Sequence, residues 1–236
     1  MTLGKLYMIP CPIGDGDPYE VLPAGNRAVM QSLDYFIVEN VRTSRRFLSR
    51  AAIGRPIEEL EFVECNEHTR AEEFEAMLQP LLEGRNGGVI SEAGLPGVAD
   101  PGADVAALAH RHRIEVVPLV GPSSIMLALM ASGQNGQSFA FGGYLPVKSA
   151  ERTAAMRRVE RRAATEHQSQ IFIEAPYRNE AWFADALASL SPLTRLTVAV
   201  DLTQPSQRVT TLTVAEWRKT SAPKLNKRPA IFIIGS

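Results

Sequence analysis

A carboxylate and a guanidinium close one apolar run: Leu33-Asp34-Tyr35-Phe36-Ile37-Val38 ends in Glu39-Asn40-Val41-Arg42. At that place Glu39 could take a proton from a hydroxyl, with Arg42 orienting it or binding a phosphate. A structural ion pair between the two would serve the fold equally well. Arg45, Arg46 and Arg50 follow closely, at spacings that share a helical face and could grip phosphates or carboxylates. A solvated helix face is the commoner outcome of such a run. A second chemical stretch, Ser91-Glu92-Ala93-Gly94-Leu95-Pro96-Gly97-Val98-Ala99-Asp100-Pro101-Gly102, has a different character. Its glycines let the backbone approach a ligand and offer unhindered N–H groups, while its prolines hold one shape. An ordinary strand-to-helix connection could share this composition. Pro10-Cys11-Pro12-Ile13-Gly14-Asp15-Gly16 is a similar rigid loop, but Asp17-Pro18 after it breaks any G-x-G-x-x-G pattern, so no dinucleotide fingerprint is present. Gly121-Pro122-Ser123-Ser124 would bring hydroxyls and helix N-terminal amides to a sheet edge, and serves as a helix cap just as well. His68 stands beside a helix start without Cys, His or carboxylate partners at ligand spacing, and no metal site is expected.

The elements that must position these groups alternate. Apolar strand candidates run from Lys5 to Pro10, Leu33 to Val38, Ile57 to Glu64, around Val89-Ile90, and from Ile114 to Val120. Helices are expected over Pro23 to Ser32, Thr43 to Ala52, Arg70 to Glu83 and from Asp104 onward, with an apolar helix from Ser124 through Met130. Strand–helix alternation over the first 120 residues predicts a mainly parallel sheet covered on both faces. The second half differs. Phe139 to Phe141, a basic helix Lys148 to Arg162 carrying Arg152, the strand Gln170 to Ile173 and a helix Glu180 to Ser189 precede three strands: Leu196 to Val200, Gln207 to Val214, and Pro229 to Gly235. Short connections between strands imply antiparallel pairing, hence a mixed sheet. The expected organisation is α/β with two α/β domains, residues 1–120 and 138–236, joined by a helix and linker over 121–137.

Composition bounds the partners. The 236 residues are 45% hydrophobic, and 25 basic side chains nearly cancel 26 acidic ones for a net charge of -1, so polyanion contacts must come from local patches. Two cysteines, Cys11 and Cys65, are too few for a disulfide scaffold. The N-terminus lacks a signal-peptide pattern and no apolar run has membrane-spanning length, so a cytoplasmic protein without a membrane partner is expected.

The motifs YMIPCPIGD, VENVR, ISEAGLPGVADPG, VGPSS, FGGYLPVKS, IEAPYRN and PAIFIIG, in this order, resemble the tetrapyrrole methylase superfamily of S-adenosylmethionine (SAM) methyltransferases. They are most similar to its branch that methylates a cytidine 2′-oxygen of small-subunit ribosomal RNA. The resemblance covers nearly the whole chain. It implies two α/β domains with SAM in the cleft between them, no metal, a homodimer, and RNA or a ribosomal subunit as partner. It places Ala93, Gly94, Leu95 and Val98 on the cofactor, with Ile13 near it, Ser123 and Ser124 on its other side, and Glu174, Ala175, Ala199, Pro229 and Ala230 completing the pocket. Toward the acceptor it places Glu39 and Arg42 as catalytic groups, with Gly14, Asn40, Arg45, Arg46 and Arg152 as substrate contacts.

The chain departs from that branch at charged positions. Glu39-Asn40-Val41-Arg42 stands where E-D-T-R is usual, Val200-Asp201-Leu202-Thr203-Gln204 replaces R-E-L-T-K, and Lys227-Arg228-Pro229-Ala230 replaces a K-G-E pattern. Three functions stay open on the sequence: an RNA 2′-O-methyltransferase, a methylase of a tetrapyrrole or other small acceptor, and a SAM-binding protein that has lost catalysis.

Overall fold

The apolar runs of the first half become short strands, buried at the centre of the sheet and half-exposed at its two edges, because each is bracketed by Gly, Pro or charged residues that stop it. In the computed structural model, which describes residues 2–66 and 68–236, these are β1 (Lys5–Ile9), β2 (Tyr35–Val38), β3 (Glu61–Glu64), β4 (Gly87–Ile90) and β5 (Glu115–Pro118). They form one sheet in the order β3-β2-β4-β1-β5, every pair parallel. Helices α1 (Gly25–Ser32), α2 (Val41–Arg50), α3 (Ala71–Leu82) and α4 (Gly102–Arg111) make the crossovers. Alternating strand residues feed two cores. Leu6, Tyr35 and Ile37 pack with Leu78, Leu81, Val105 and Leu108 on one face, and Ile9, Phe36 and Val38 with Met30, Phe47 and Leu48 on the other. Central β4 must be slim: a Cβ on Gly88 would lie 2.5 Å from Ile9 Cδ1 and 3.1 Å from the Phe36 ring. The strand expected from Ile57 starts later. Pro56 leads into a 3₁₀ turn, Ile57–Glu59, and pairing begins at Glu61, because adjacent Glu58 and Glu59 are exposed where a ladder would need an apolar face.

The chain divides into two compact units, Met1–Ser123 and Ser124–Ser236. The second opens with α5 (Ser124–Ser132) and continues β6 (Phe139–Phe141), α6 (Ser149–Glu166), β7 (Ser169–Ile173), α7 (Asn179–Ser189), β8 (Arg195–Val200), β9 (Arg208–Thr213), α8 (Val214–Trp217) and β10 (Ala230–Gly235). Its sheet runs β6-β7-β10-β8-β9, with β6 and β7 parallel and the other pairs antiparallel. Met156, Trp182, Phe183, Val198 and Phe232 fill one face, Trp182 stacking on Phe232 at 4.0 Å between centroids. Helix α5 covers the other face through Ala128 and Leu129, against Ala199, Ile231 and Ile233.

Arg152, expected to face an acceptor, is turned inward. It is 4% exposed, ion-paired to Asp185 of α7 at 2.6 Å, and donates to the Pro146 and Val147 carbonyls. Every nitrogen of its guanidinium is committed inside the second unit, so it offers nothing to a phosphate. Among the described residues no helix is long and apolar enough to cross a membrane, and no His, Cys, Asp and Glu group is arranged to hold a metal.

Candidate functional site

An all-parallel sheet sends the loops after its strands to one edge, the edge where open α/β sheets bind ligands. In the first unit two of those loops are tied together. Cys11 N–H donates to Gly94 O at 2.8 Å and Gly94 N–H to Cys11 O at 3.1 Å, joining the stretch after β1 to the stretch after β4. Gly94 adopts φ +74°, a conformation an L side chain rarely takes, which explains glycine there. Asp100 then shapes the β4–α4 loop from within. Its carboxylate accepts from Gly97 N–H at 2.9 Å and Gly102 N–H at 2.7 Å. A Cβ on Gly102 would approach Asp100 Oδ1 to 2.7 Å, so this brace requires glycine.

Glu39 follows β2 directly and meets the same loop: its Oε2 accepts from Glu92 N–H at 3.0 Å, and its N–H donates to Ile90 O. With Cys65, Ser91, Asp100 and Gly102 it lines a narrow crevice with room for one water at most. Burial raises the Glu39 pKa above the ordinary carboxylate value, and the negative charges of Asp100 and Glu92 add to the rise against the opposing Glu92 hydrogen bond. A half-buried carboxylate with a raised pKa is suited to accepting a proton near neutrality. Neither thiol competes for that role, because burial pushes Cys11 up to about 12 and Cys65 up to about 11, leaving almost no thiolate.

Among the described residues Glu39 and Arg42 form no ion pair. Arg42 is exposed at the start of α2, as are Arg45 and Arg46, with Arg45 lying 5.3 Å over the Phe62 ring. Arg50 is spent on the Asp15 and Gly16 carbonyls, bracing the loop that carries half-buried Ile13 and Gly14. Asn40 is the N-cap of α2: its side-chain oxygen accepts from Arg42 N–H at 3.0 Å and Thr43 N–H at 3.1 Å. Asp and Asn cap helices about equally well, so the change from the usual E-D-T-R leaves this local structure intact. In the β4–α4 loop Ala93 and Val98 are exposed and Leu95 is half-buried, which leaves apolar surface open to a ligand. Half-buried Ser123 ends the first unit, and Ser124 is the first residue of α5 in the second.

In the second unit the residues assigned by resemblance converge on one end of three neighbouring strands. Ile173 pairs with Ile231 across β7 and β10, and Ala199 pairs with Ile231 across β8, so Glu174, Ala199, Pro229 and Ala230 lie side by side. The Glu174 side chain is 0% exposed; its Oε1 accepts from Arg178 at 2.5 and 2.8 Å and from Ala175 N–H, while Oε2 has no hydrogen-bond partner. An orphaned buried acceptor is costly unless a donor arrives, and it fits a ligand rich in N–H and O–H groups, as SAM is. Asp201 keeps the negative charge of the usual R-E-L-T-K pattern and forms an ion pair at 2.5 Å with Arg228, which lies in the stretch that replaces K-G-E.

Residues 5–217 match the tetrapyrrole (corrin/porphyrin) methylases. The ribosomal RNA small subunit methyltransferase I of Synechocystis is 33% identical over 205 residues, covering 86% of this chain and 68% of that protein. Its namesakes in Neisseria meningitidis serogroup B and Pseudomonas aeruginosa are 32% and 30% identical, covering 90% and 92% of this chain and 69% and 72% of theirs. Among solved structures, the methyltransferase CobJ superposes with a TM-score of 0.65 at 16% identity, covering 99% of this chain and 94% of its own. The cobalt precorrin-4 methyltransferase CbiF does so at 0.61 and 16%, covering 98% and 94%. At that identity these two show the shared fold alone. Match and fold agree: the chain belongs to the tetrapyrrole methylase family and is a SAM-dependent methyltransferase.

Proposed function

We propose that this chain methylates a ribose 2′-oxygen of a cytidine in small-subunit ribosomal RNA, or of a closely related RNA target, working as a cytoplasmic homodimer. The observation that carries the reading is Glu39: a carboxylate of raised pKa, at the carboxyl end of β2 against the braced β4–α4 loop. A ribose hydroxyl is a poor nucleophile at neutral pH and needs a base of this kind, whereas an activated carbon acceptor does not. The likeness to the ribosomal RNA methyltransferases of Synechocystis and Neisseria supports the same acceptor class.

SAM, when bound, supplies an electrophilic methyl group, so the protein's task is positioning and proton handling. In the first unit Gly94, braced from Cys11, and the exposed Ala93 and Val98 flanks would receive the donor, with Leu95 and Ile13 nearby. In the second unit the Glu174–Ala175 corner and the Ala199 and Pro229–Ala230 strand ends would serve it, Oε2 of Glu174 taking a donor hydrogen bond. Glu39 accepts the hydroxyl proton at its carboxylate, and the exposed Arg42, Arg45 and Arg46 meet the phosphates flanking the target nucleotide.

Labelled methyl transfer from SAM into small ribosomal subunits, total RNA and a small-molecule extract tests the acceptor: label in the RNA fractions is expected, and label confined to small molecules refutes it. Glu39→Gln should lower turnover by about 10²–10⁴-fold while leaving SAM affinity unchanged. The wild-type rate should fall as pH drops through the raised Glu39 pKa, because the base becomes protonated, and the variant should lack that limb.

A further inference from the structure

Two of the second unit's exposed aromatic residues, Tyr144 and Tyr177, far apart in sequence, both follow the same end of the β6–β7 pair. The parallel β6–β7 ladder continues past both strands: Gly142 N–H donates to Ile171 O at 2.8 Å and Ile173 N–H to Gly143 O at 2.9 Å. Tyr144 leaves this ladder from one strand end, and the Pro176-Tyr177-Arg178 turn from the other. Tyr144 is 59% exposed and Tyr177 69%. Arg178 in that turn is fixed by bonds on all three of its guanidinium nitrogens. Its Nε and Nη2 bond to Oε1 of the fully buried Glu174, Nη1 donates to the Tyr177 hydroxyl at 2.9 Å, and its guanidinium carbon lies 5.1 Å from the centre of the Tyr177 ring. The Glu174 hydrogen bond is the main cause of the raised Arg178 pKa, with the hydroxyls of Tyr177 and Tyr144 adding to it, which places both rings within electrostatic reach of one guanidinium.

A cation flanks the turn. Lys227 N–H donates to Pro176 O at 3.1 Å and Asn179 Nδ2 to Arg228 O at 2.6 Å, so the exposed Lys227 is fastened beside Tyr177. Two exposed tyrosine faces, a planar guanidinium locked by a buried carboxylate, and an adjacent lysine are the parts of a single-stranded nucleic-acid surface: rings and guanidinium for bases, the ammonium for phosphate.

We propose that Tyr144, Tyr177 and Arg178 form a stacking platform for unpaired nucleobases of the RNA acceptor, with Lys227 meeting the backbone alongside. The platform rests on the RNA reading of the function and adds to it a surface that grips unpaired nucleotides. Fluorescence anisotropy with a labelled single-stranded oligonucleotide, and with its duplex, tests it on the whole protein. Tyr177→Ala and Tyr144→Ala should each weaken single-strand binding by about tenfold, with duplex binding and SAM affinity unchanged, while Tyr177→Phe keeps the ring and most of the affinity. Unchanged single-strand affinity in both alanine variants overturns the platform. So does an equal loss in Tyr177→Phe, which would assign the effect to the hydroxyl on Arg178, or an equal loss for duplex. Methyl transfer separates the two claims. If the wild type labels RNA and the alanine variants keep its KM, the platform fails alone; if the wild type labels no RNA while single-strand binding drops as stated, the platform stands and the assigned reaction fails.

Discussion

A charge withdrawn from water either acquires partners or shifts its protonation, and Arg152 and Glu39 take these two courses. Arg152 is saturated: Asp185 and two carbonyls take its donors in the α6–α7 packing. Arg152→Ala would leave Asp185 half-interred without its cation and should cost about 3–5 kcal/mol, read as a lower midpoint in chemical denaturation. A residue serving RNA alone would show lost affinity with an unchanged midpoint. Glu39 has no cation, and its folded pKa is raised, so the sign of its contribution is the reverse of the usual carboxylate case. Its ionisation disfavours the fold, a penalty absent below its unfolded pKa and complete once pH has risen through the folded one. The same Glu39→Gln variant that loses turnover should therefore be at least as stable as wild type at pH 8, with the difference vanishing in acid. Stability given up at a working carboxylate is the expected trade at an active site.

Among the elements, α2 is the one whose start mixes structural and chemical duties. Asn40 accepts two amide hydrogens there, so Asn40→Ala should lower stability by about 1 kcal/mol, whereas Asn40→Asp should hold or slightly raise it, since a helix N-terminus favours negative charge. Thermal melts of the pair check this. From sequence, E-N-V-R reads as an acceptor-side motif, and spacing cannot show that the second residue faces the helix rather than a substrate. The strands were legible because Tyr35-Phe36-Ile37-Val38 or Ala230 to Gly235 can hardly be anything else, and their turn residues stop them cleanly. The inward turn of Arg152 is not legible in sequence, because inward and outward arginines on a basic helix look alike until the partner helix supplies Asp185. Tyr144 and Tyr177 are illegible for a related reason: an aromatic residue reads as core, and only the β6–β7 pairing brings the segments that carry these two to one strand end, where both are exposed.

At the scale of the whole molecule, among the described residues each apolar core draws its side chains from one unit alone. Residues 124–236, expressed by themselves, should therefore fold, giving a cooperative melt and native-like circular dichroism; a disordered fragment would refute this. The division of labour was visible in sequence as a change from strand–helix alternation to closely spaced strands, while the sheet orders depend on long-range pairings that local pattern does not encode. The reciprocal Cys11–Gly94 bridge carries a further consequence. Two loops fastened backbone to backbone share one set of motions, so the conformational entropy of stilling them is lost once. A ligand that orders the stretch after β4 should therefore order the stretch after β1 with it, read as slowed amide hydrogen exchange in both.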